Sequence, residues 1–141
     1  MAQAPQKVYA GEDFFTYEAD FLAVANGVSA PQQTITIQAD SDFELLKLAQ
    51  FTDVAGASEA EATAIIPLAT LLIQVGSSGR NLMNNAVPIG NLFGSGRIPM
   101  VLPRGRIFQA QTIITLTYAN YSAATTYNTR LSFIGRKLYL K

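Results

Sequence analysis

Asp40, Asp42 and Glu44 recur at every second position, so in an extended segment their carboxylates project from one face. Three such groups suit a hard cation or a pair of general acid and base. A calcium loop counted from Asp40 would need Gly at its sixth position and Glu at its twelfth, where the chain has Leu45 and Phe51. Asp40-Ser41-Asp42 therefore reads as a solvated turn between strands, closed by Asx-type hydrogen bonds, and no metal is expected.

Two Gly-Ser stretches invite a phosphate reading: Gly76-Ser77-Ser78-Gly79-Arg80 and Gly94-Ser95-Gly96-Arg97. Neither has the spacing of a phosphate loop, because no Gly-Lys-Ser/Thr follows the first and the second runs on to Pro99. They read as turns, each with an arginine placed to reach a partner, which makes Arg80 and Arg97 interface candidates. Tyr118, Tyr121 and Tyr127, with Asn120 and Asn128, could form a carbohydrate platform; the plainer reading is loop tyrosines half buried at one end of a sandwich.

The missing residue types exclude more. The chain of 141 residues has no His, no Cys and no Trp. Without imidazole or thiol there is no Ser-His-Asp triad, no thiol nucleophile, no disulfide and no thiolate zinc site. Only carboxylates, Lys, Ser and Tyr are left to carry catalysis, so the protein is expected not to be an enzyme and to need no cofactor. Absence of Cys fits a reducing cytosol and an oxidised exterior equally. Met1 to Gly11 lacks the apolar run of a secretory signal. Thr63 to Val75, the most apolar stretch, is broken by Pro67 and falls short of the about 20 residues of a membrane helix, so no membrane partner is expected.

A zero net charge hides a division along the chain. Residues 1–61 hold all ten acids and two lysines, a formal charge of −8, and the rest holds eight bases and no acid. Strands from the two halves could interleave and mix these charges over one surface. Otherwise the body is electrically polar and docks by charge complementarity. A nucleic-acid surface is not expected, since there is no long Lys/Arg run and no recognisable module, and six of the eight bases are Arg, suited to carboxylates across an interface.

The elements that must position these residues alternate with period two. Phe15, Tyr17 and Ala19 alternate with polar residues, as do Ile35, Ile37 and Ala39; Phe43 to Phe51 continues the pattern less cleanly. Leu71 to Val75, Pro99 to Leu102, Thr112 to Tyr118 and Thr129 to Ile134 complete a set of strands. Turn clusters fall at Ser29-Ala30-Pro31, Gly76 to Gly79, Gly94 to Gly96, Pro103-Arg104-Gly105 and Asn120 to Asn128. Ser58 to Ala62 and Pro88 to Phe93 could each add a turn of helix. This pattern predicts one all-β domain over residues 13–141, an antiparallel β-sandwich of jelly-roll or barrel type with long loops. Residues 1–12 read as a flexible arm that orders against a neighbour through Tyr9.

The C-terminal part also carries a resemblance. S-S-G-R-N-L-M-N-N-A-V-P-I-G-N-L-F-G (Ser77 to Gly94), P-M-V-L-P-R-G-R-I-F (Pro99 to Phe108), Q-T-I-I-T-L-T (Gln111 to Thr117), R-L-S-F-I-G-R-K (Arg130 to Lys137) and the upstream I-Q-A-D-S-D-F (Ile37 to Phe43) resemble small virion proteins of tailed bacteriophages. The resemblance spans residues 33–137 and its motifs are structural. It implies a jelly-roll-like sandwich that cements the outer surface of an icosahedral head by bridging major capsid proteins, as a homo-oligomer, with a dimer expected, and with no direct contact to nucleic acid. On this reading Arg80, Arg97, Arg104 and Arg106 meet acidic patches on the shell, and Tyr9, Phe14 and Phe15 anchor an arm or edge strand against a neighbour. The alternatives are a carbohydrate- or host-surface-binding sandwich of a tail or fibre, and a head-completion protein.

Overall fold

The computed structural model describes residues 8–54, 64–76 and 81–140. Its elements in chain order are β1 (Tyr9–Val24), β2 (Gln33–Thr36), β3 (Asp42–Val54), β4 (Ala69–Val75), β5 (Val87–Pro88), α1 (Ile89–Leu92), β6 (Met100–Phe108), β7 (Ile113–Asn120) and β8 (Tyr127–Leu140). They form two four-stranded sheets, β1-β8-β3-β6 and β2-β7-β4-β5, in which every strand pair is antiparallel. The first strand pairs with the last, the second with the seventh, the third with the sixth and the fourth with the fifth. That is one long hairpin rolled upon itself, the jelly-roll order, so the expected all-β sandwich is found in its jelly-roll form.

Alternation sets the inner face of each strand. Tyr17, Ala19 and Phe21 of β1, Leu131 and Phe133 of β8, and Ile114, Leu116 and Tyr118 of β7 are buried while their neighbours along the strand face outward. Phe21 stacks on Tyr118 at 4.8 Å between ring centroids, joining the two sheets at the middle of the core. Each fully buried Leu, Ile or Phe contributes about 1.5–3 kcal/mol relative to exposure, and this layer is what makes disulfides unnecessary.

The less regular pattern of Phe43 to Phe51 has a physical cause. At Leu46 the register of β3 shifts against both neighbours, so Leu45 and Leu48 both face the core although they are three apart. Gly135 lies opposite Leu45, and a Cβ there would sit 1.9 Å from the Glu44 carbonyl oxygen, so β8 passes β3 only because this residue has no side chain.

Several expected boundaries move. Pro103-Arg104-Gly105 is not a turn between elements but lies inside β6. Pairing of β6 with β3 stops after Arg106 and resumes at Val101, so Leu102 to Gly105 bulge outward opposite Leu46. The arm expected over residues 1–12 is shortened, because Tyr9, Gly11 and Glu12 pair with Leu140, Tyr139 and Leu138 as the start of β1. Met1 to Lys7 and the helical turn expected over Ser58 to Ala62 lie outside the described residues. The turn expected over Pro88 to Phe93 is α1, closed by the Phe93 amide donating to the Ile89 carbonyl at 2.8 Å. Among the described residues no helix is long and apolar enough to cross a membrane.

Candidate interaction surface

Asp40, Asp42 and Glu44 go to separate partners. Asp42 is buried and accepts the Ala110 amide at 2.9 Å and the Tyr9 hydroxyl at 3.1 Å, tying the β6–β7 corner and the start of β1 to β3. Burial and this bond to the carboxylate raise the pKa of Tyr9. Asp40 lies 3.2 Å from the Lys137 ammonium, which also donates to Gln38 and sits 4.2 Å above the Phe15 ring. Glu44 accepts from Arg136 Nε at 2.7 Å. Among the described residues no group of acidic side chains is arranged to hold a metal ion.

These contacts also show where the division of charge along the chain goes. Arg130 on β8 pairs with Asp20 on β1 at 2.7 Å, and Arg136 spans from Glu44 on β3 to Glu12 on β1. The hydrogen bond that Arg136 donates to Glu44 raises the pKa of Arg136 and holds it charged. In the jelly-roll order β8 lies between the two acid-rich strands β1 and β3, so the acidic half of the chain is answered by the bases of its last strand. The interleaved reading therefore holds for Arg130, Arg136 and Lys137.

β6, the outer edge of the same sheet, pairs along its inner side with the acid-rich β3. Arg104 is exposed on the outward bulge of β6, and Arg106 lies on the core side of the same edge with its guanidinium 5.4 Å from the Phe108 ring centroid. The two share one concavity at the mouth between β6 and β7, with Gln109, Gln111 and Thr112 on its wall. Arg97 stands at the other end of β6, on the loop closed by the Ser95 amide to the Ile98 carbonyl and the Ile98 amide to Ser95 Oγ, both at 3.1 Å. It opens on a separate groove of about 480 Å³ lined by Glu18, Phe51, Ile65, Ile66 and Arg130. Exposed Ile98 and Val101 lie between these two arginine positions, and exposed Ile107 follows Arg106. Arg80 lies outside the described residues.

The aromatic candidates separate. Tyr9 bonds Asp42 of its own chain, and Phe15 packs edge-on to Tyr17 at 4.8 Å beneath Lys137, so both serve the fold. Phe14, on the outer face of β1, is 77% exposed and is the one of the three that faces solvent. The tyrosine platform is not assembled: Tyr118 and Tyr127 are buried, the latter accepting the Leu68 amide on its hydroxyl, and only Tyr121 faces solvent.

Every charged residue located in a strand belongs to β1, β3, β6 or β8, the members of one sheet. The strands of the other sheet, Q-T-I-T, A-T-L-L-I-Q-V, V-P and I-I-T-L-T-Y-A-N, carry none. The signal was present in these segments, but it becomes visible only when strands are grouped by sheet and not by chain position.

No protein-family model matches the sequence, and no curated protein matches it. Among solved structures the chain is similar to the VP2 subviral particle of infectious bursal disease virus, at 9% identity and a TM-score of 0.26, over 94% of this chain and 42% of that one. A structure of the Gx strain of the same virus gives 8% identity and a TM-score of 0.22, over 100% of this chain and 45% of that one. The chain thus spans less than half the length of these virus proteins. At such scores the likeness carries no argument, and the fold class, an antiparallel jelly-roll sandwich, rests on the strand order alone.

Proposed function

We propose that this jelly roll is a structural virion protein of a tailed bacteriophage, which binds the outside of the icosahedral head and bridges major capsid proteins. The observation that carries this reading is the β6 edge: Arg104 and Arg106 in one concavity, Arg97 just before the start of the strand, and exposed Val101 and Ile107 along it. Arginine beside exposed aliphatic residues along a sheet edge suits a protein partner with acidic patches. Strand addition is disfavoured there, because an outward bulge, Pro103 and two arginines interrupt the edge. Contact is then made by side chains. Repetition over a symmetric lattice lets weak single contacts add to a firm shell.

The test mixes purified protein with heads lacking it and follows co-sedimentation and the temperature of DNA release. Saturable binding that raises this temperature is expected at low salt, with loss in the Arg104→Glu/Arg106→Glu variant. Decoration by that variant equal to the parent protein overturns the assignment of the β6 edge, and no binding by the parent protein overturns the head reading.

A further inference from the structure

Lys137 is the only buried lysine among the described residues, its side chain 8% exposed. Its Nζ meets a carboxamide and a carboxylate together: it donates to Gln38 Oε1 and lies 3.4 and 3.2 Å from the two oxygens of Asp40. The Phe15 ring closes the site 4.2 Å away, at the head of a chain of edge-on rings that runs through Tyr17 to Phe43. We propose that Lys137 and Gln38 join in an intramolecular isopeptide bond, with Asp40 carrying the protons.

The step releases ammonia and needs no oxidant or reductant. Asp40 takes one proton from the Lys137 ammonium, and the freed lone pair on Nζ attacks Gln38 Cδ. Asp40 returns that proton to Gln38 Nε2, the bond from Cδ to Nε2 breaks, and ammonia departs. A second proton leaves the linking nitrogen through Asp40 and ends on the ammonia. One carbon–nitrogen bond forms as one breaks, and the products are a secondary amide and ammonium.

The surroundings fit this step. The Gln38 amide donates to the Tyr17 hydroxyl at 2.9 Å, and the adjoining Ile37 exchanges backbone hydrogen bonds with Thr112 and Gln111, so the carboxamide hangs from a fixed backbone. Lys137 sits in register with Phe43 on one side and Asp13 on the other. Two groups held in contact from fixed strands react as one molecule, without the entropy cost of meeting. Asp40 is 52% exposed, which gives ammonia a way out and lets the carboxylate exchange its proton with water. An ion pair for the buried ammonium needs Asp40 alone; the carboxamide pressed on the same nitrogen supplies the electrophile. Gln38 follows β2 of one sheet and Lys137 lies on β8 of the other, ninety-nine positions on, so the bond fastens the two sheets in a chain that has no Cys. Like a disulfide over a long loop, it restricts the unfolded chain and raises the melting temperature.

The experiment is mass spectrometry of the intact, denatured full chain, followed by tryptic mapping. The parent protein is expected to be lighter than its sequence by one ammonia, with the segment holding Gln38 joined to the segment holding Lys137. Lys137→Arg, which keeps the charge, and Gln38→Ala should each show the full sequence mass. Asp40→Asn, checked for folding by its far-ultraviolet spectrum, should retain its ammonia over a time course after refolding in which the parent loses it. A parent protein of full sequence mass overturns the proposal, as does a loss of ammonia that persists in Lys137→Arg or that maps to Asn26-Gly27, where a succinimide would form. Bond formation in Asp40→Asn as complete and as fast as in the parent overturns the role given to Asp40.

Discussion

The hydroxyls of Tyr118 and Thr129 lie 2.7 Å apart in the buried centre of the sandwich, linking β7 of one sheet to β8 of the other. Burial pushes the Tyr118 phenol up to about 12, with its bond to Thr129 acting the opposite way. In the unfolded chain the same phenol ionises near 10. The folded state therefore holds this proton where the unfolded state releases it, and stability present below about pH 10 falls as pH rises toward 12. Melting temperature is expected to drop over that window, and Tyr118→Phe to flatten the drop while itself costing about 1 kcal/mol for the lost bond. A slope unchanged by Tyr118→Phe would assign the alkaline loss to other groups.

Asp42 is buried with two donors aimed at it, the Ala110 amide and the Tyr9 hydroxyl. Asp42→Ala leaves the amide at the β6–β7 corner without its acceptor and frees the first residue of β1 from its anchor. Hydrogen bonds to a charged group are worth about 1.5–3 kcal/mol each, so a loss of about 3–6 kcal/mol is expected in denaturant unfolding. A variant as stable as the parent would show that water replaces the carboxylate without cost.

Gly135→Ala is expected to prevent folding or to cost at least about 3 kcal/mol, because the new Cβ would lie 1.9 Å from a backbone oxygen of β3 that has no room to withdraw. Gly96→Ala, where nothing lies within 4 Å, should change stability by no more than about 0.5 kcal/mol. Denaturation midpoints of the two variants compared with the parent decide this. Equal midpoints would mean that β8 can part from β3 without loss.

The strands were legible where alternation was clean, as in Ile113 to Tyr118 and Phe15 to Ala19, because period two is a direct consequence of one wet and one dry face. Pro103-Arg104-Gly105 misled, since residues that favour a turn also make an outward bulge, and only the partner strand distinguishes the two. Asp40-Ser41-Asp42, expected as a solvated turn, is one only at Asp40: Ser41 and Asp42 are buried at the start of β3, and Lys137 and Arg136 reach Asp40 and Glu44 from almost a hundred residues away in sequence. For the arginines, residue type marked the candidates, but which of them are answered by acids followed from β8 lying between β1 and β3. Strand order fixes that, and local sequence does not encode it.

Arg97 and the pair Arg104 and Arg106 stand at opposite ends of β6, so their contributions to head binding should separate. Arg97 shares its groove with the acid Glu18, whereas the lining of the concavity around Arg104 and Arg106 includes no acid among the described residues. Charge reversal at the pair should therefore weaken decoration of heads more than Arg97→Glu does. Both losses should shrink as salt rises, because the screening length falls from about 10 Å at 0.1 M to about 3 Å at 1 M and the parent protein itself loses the same attraction. Binding isotherms at low and high salt measure this. Decoration by Arg97→Glu that matches the parent at both would take that loop out of the interface and leave the outward bulge of β6 as the point of contact.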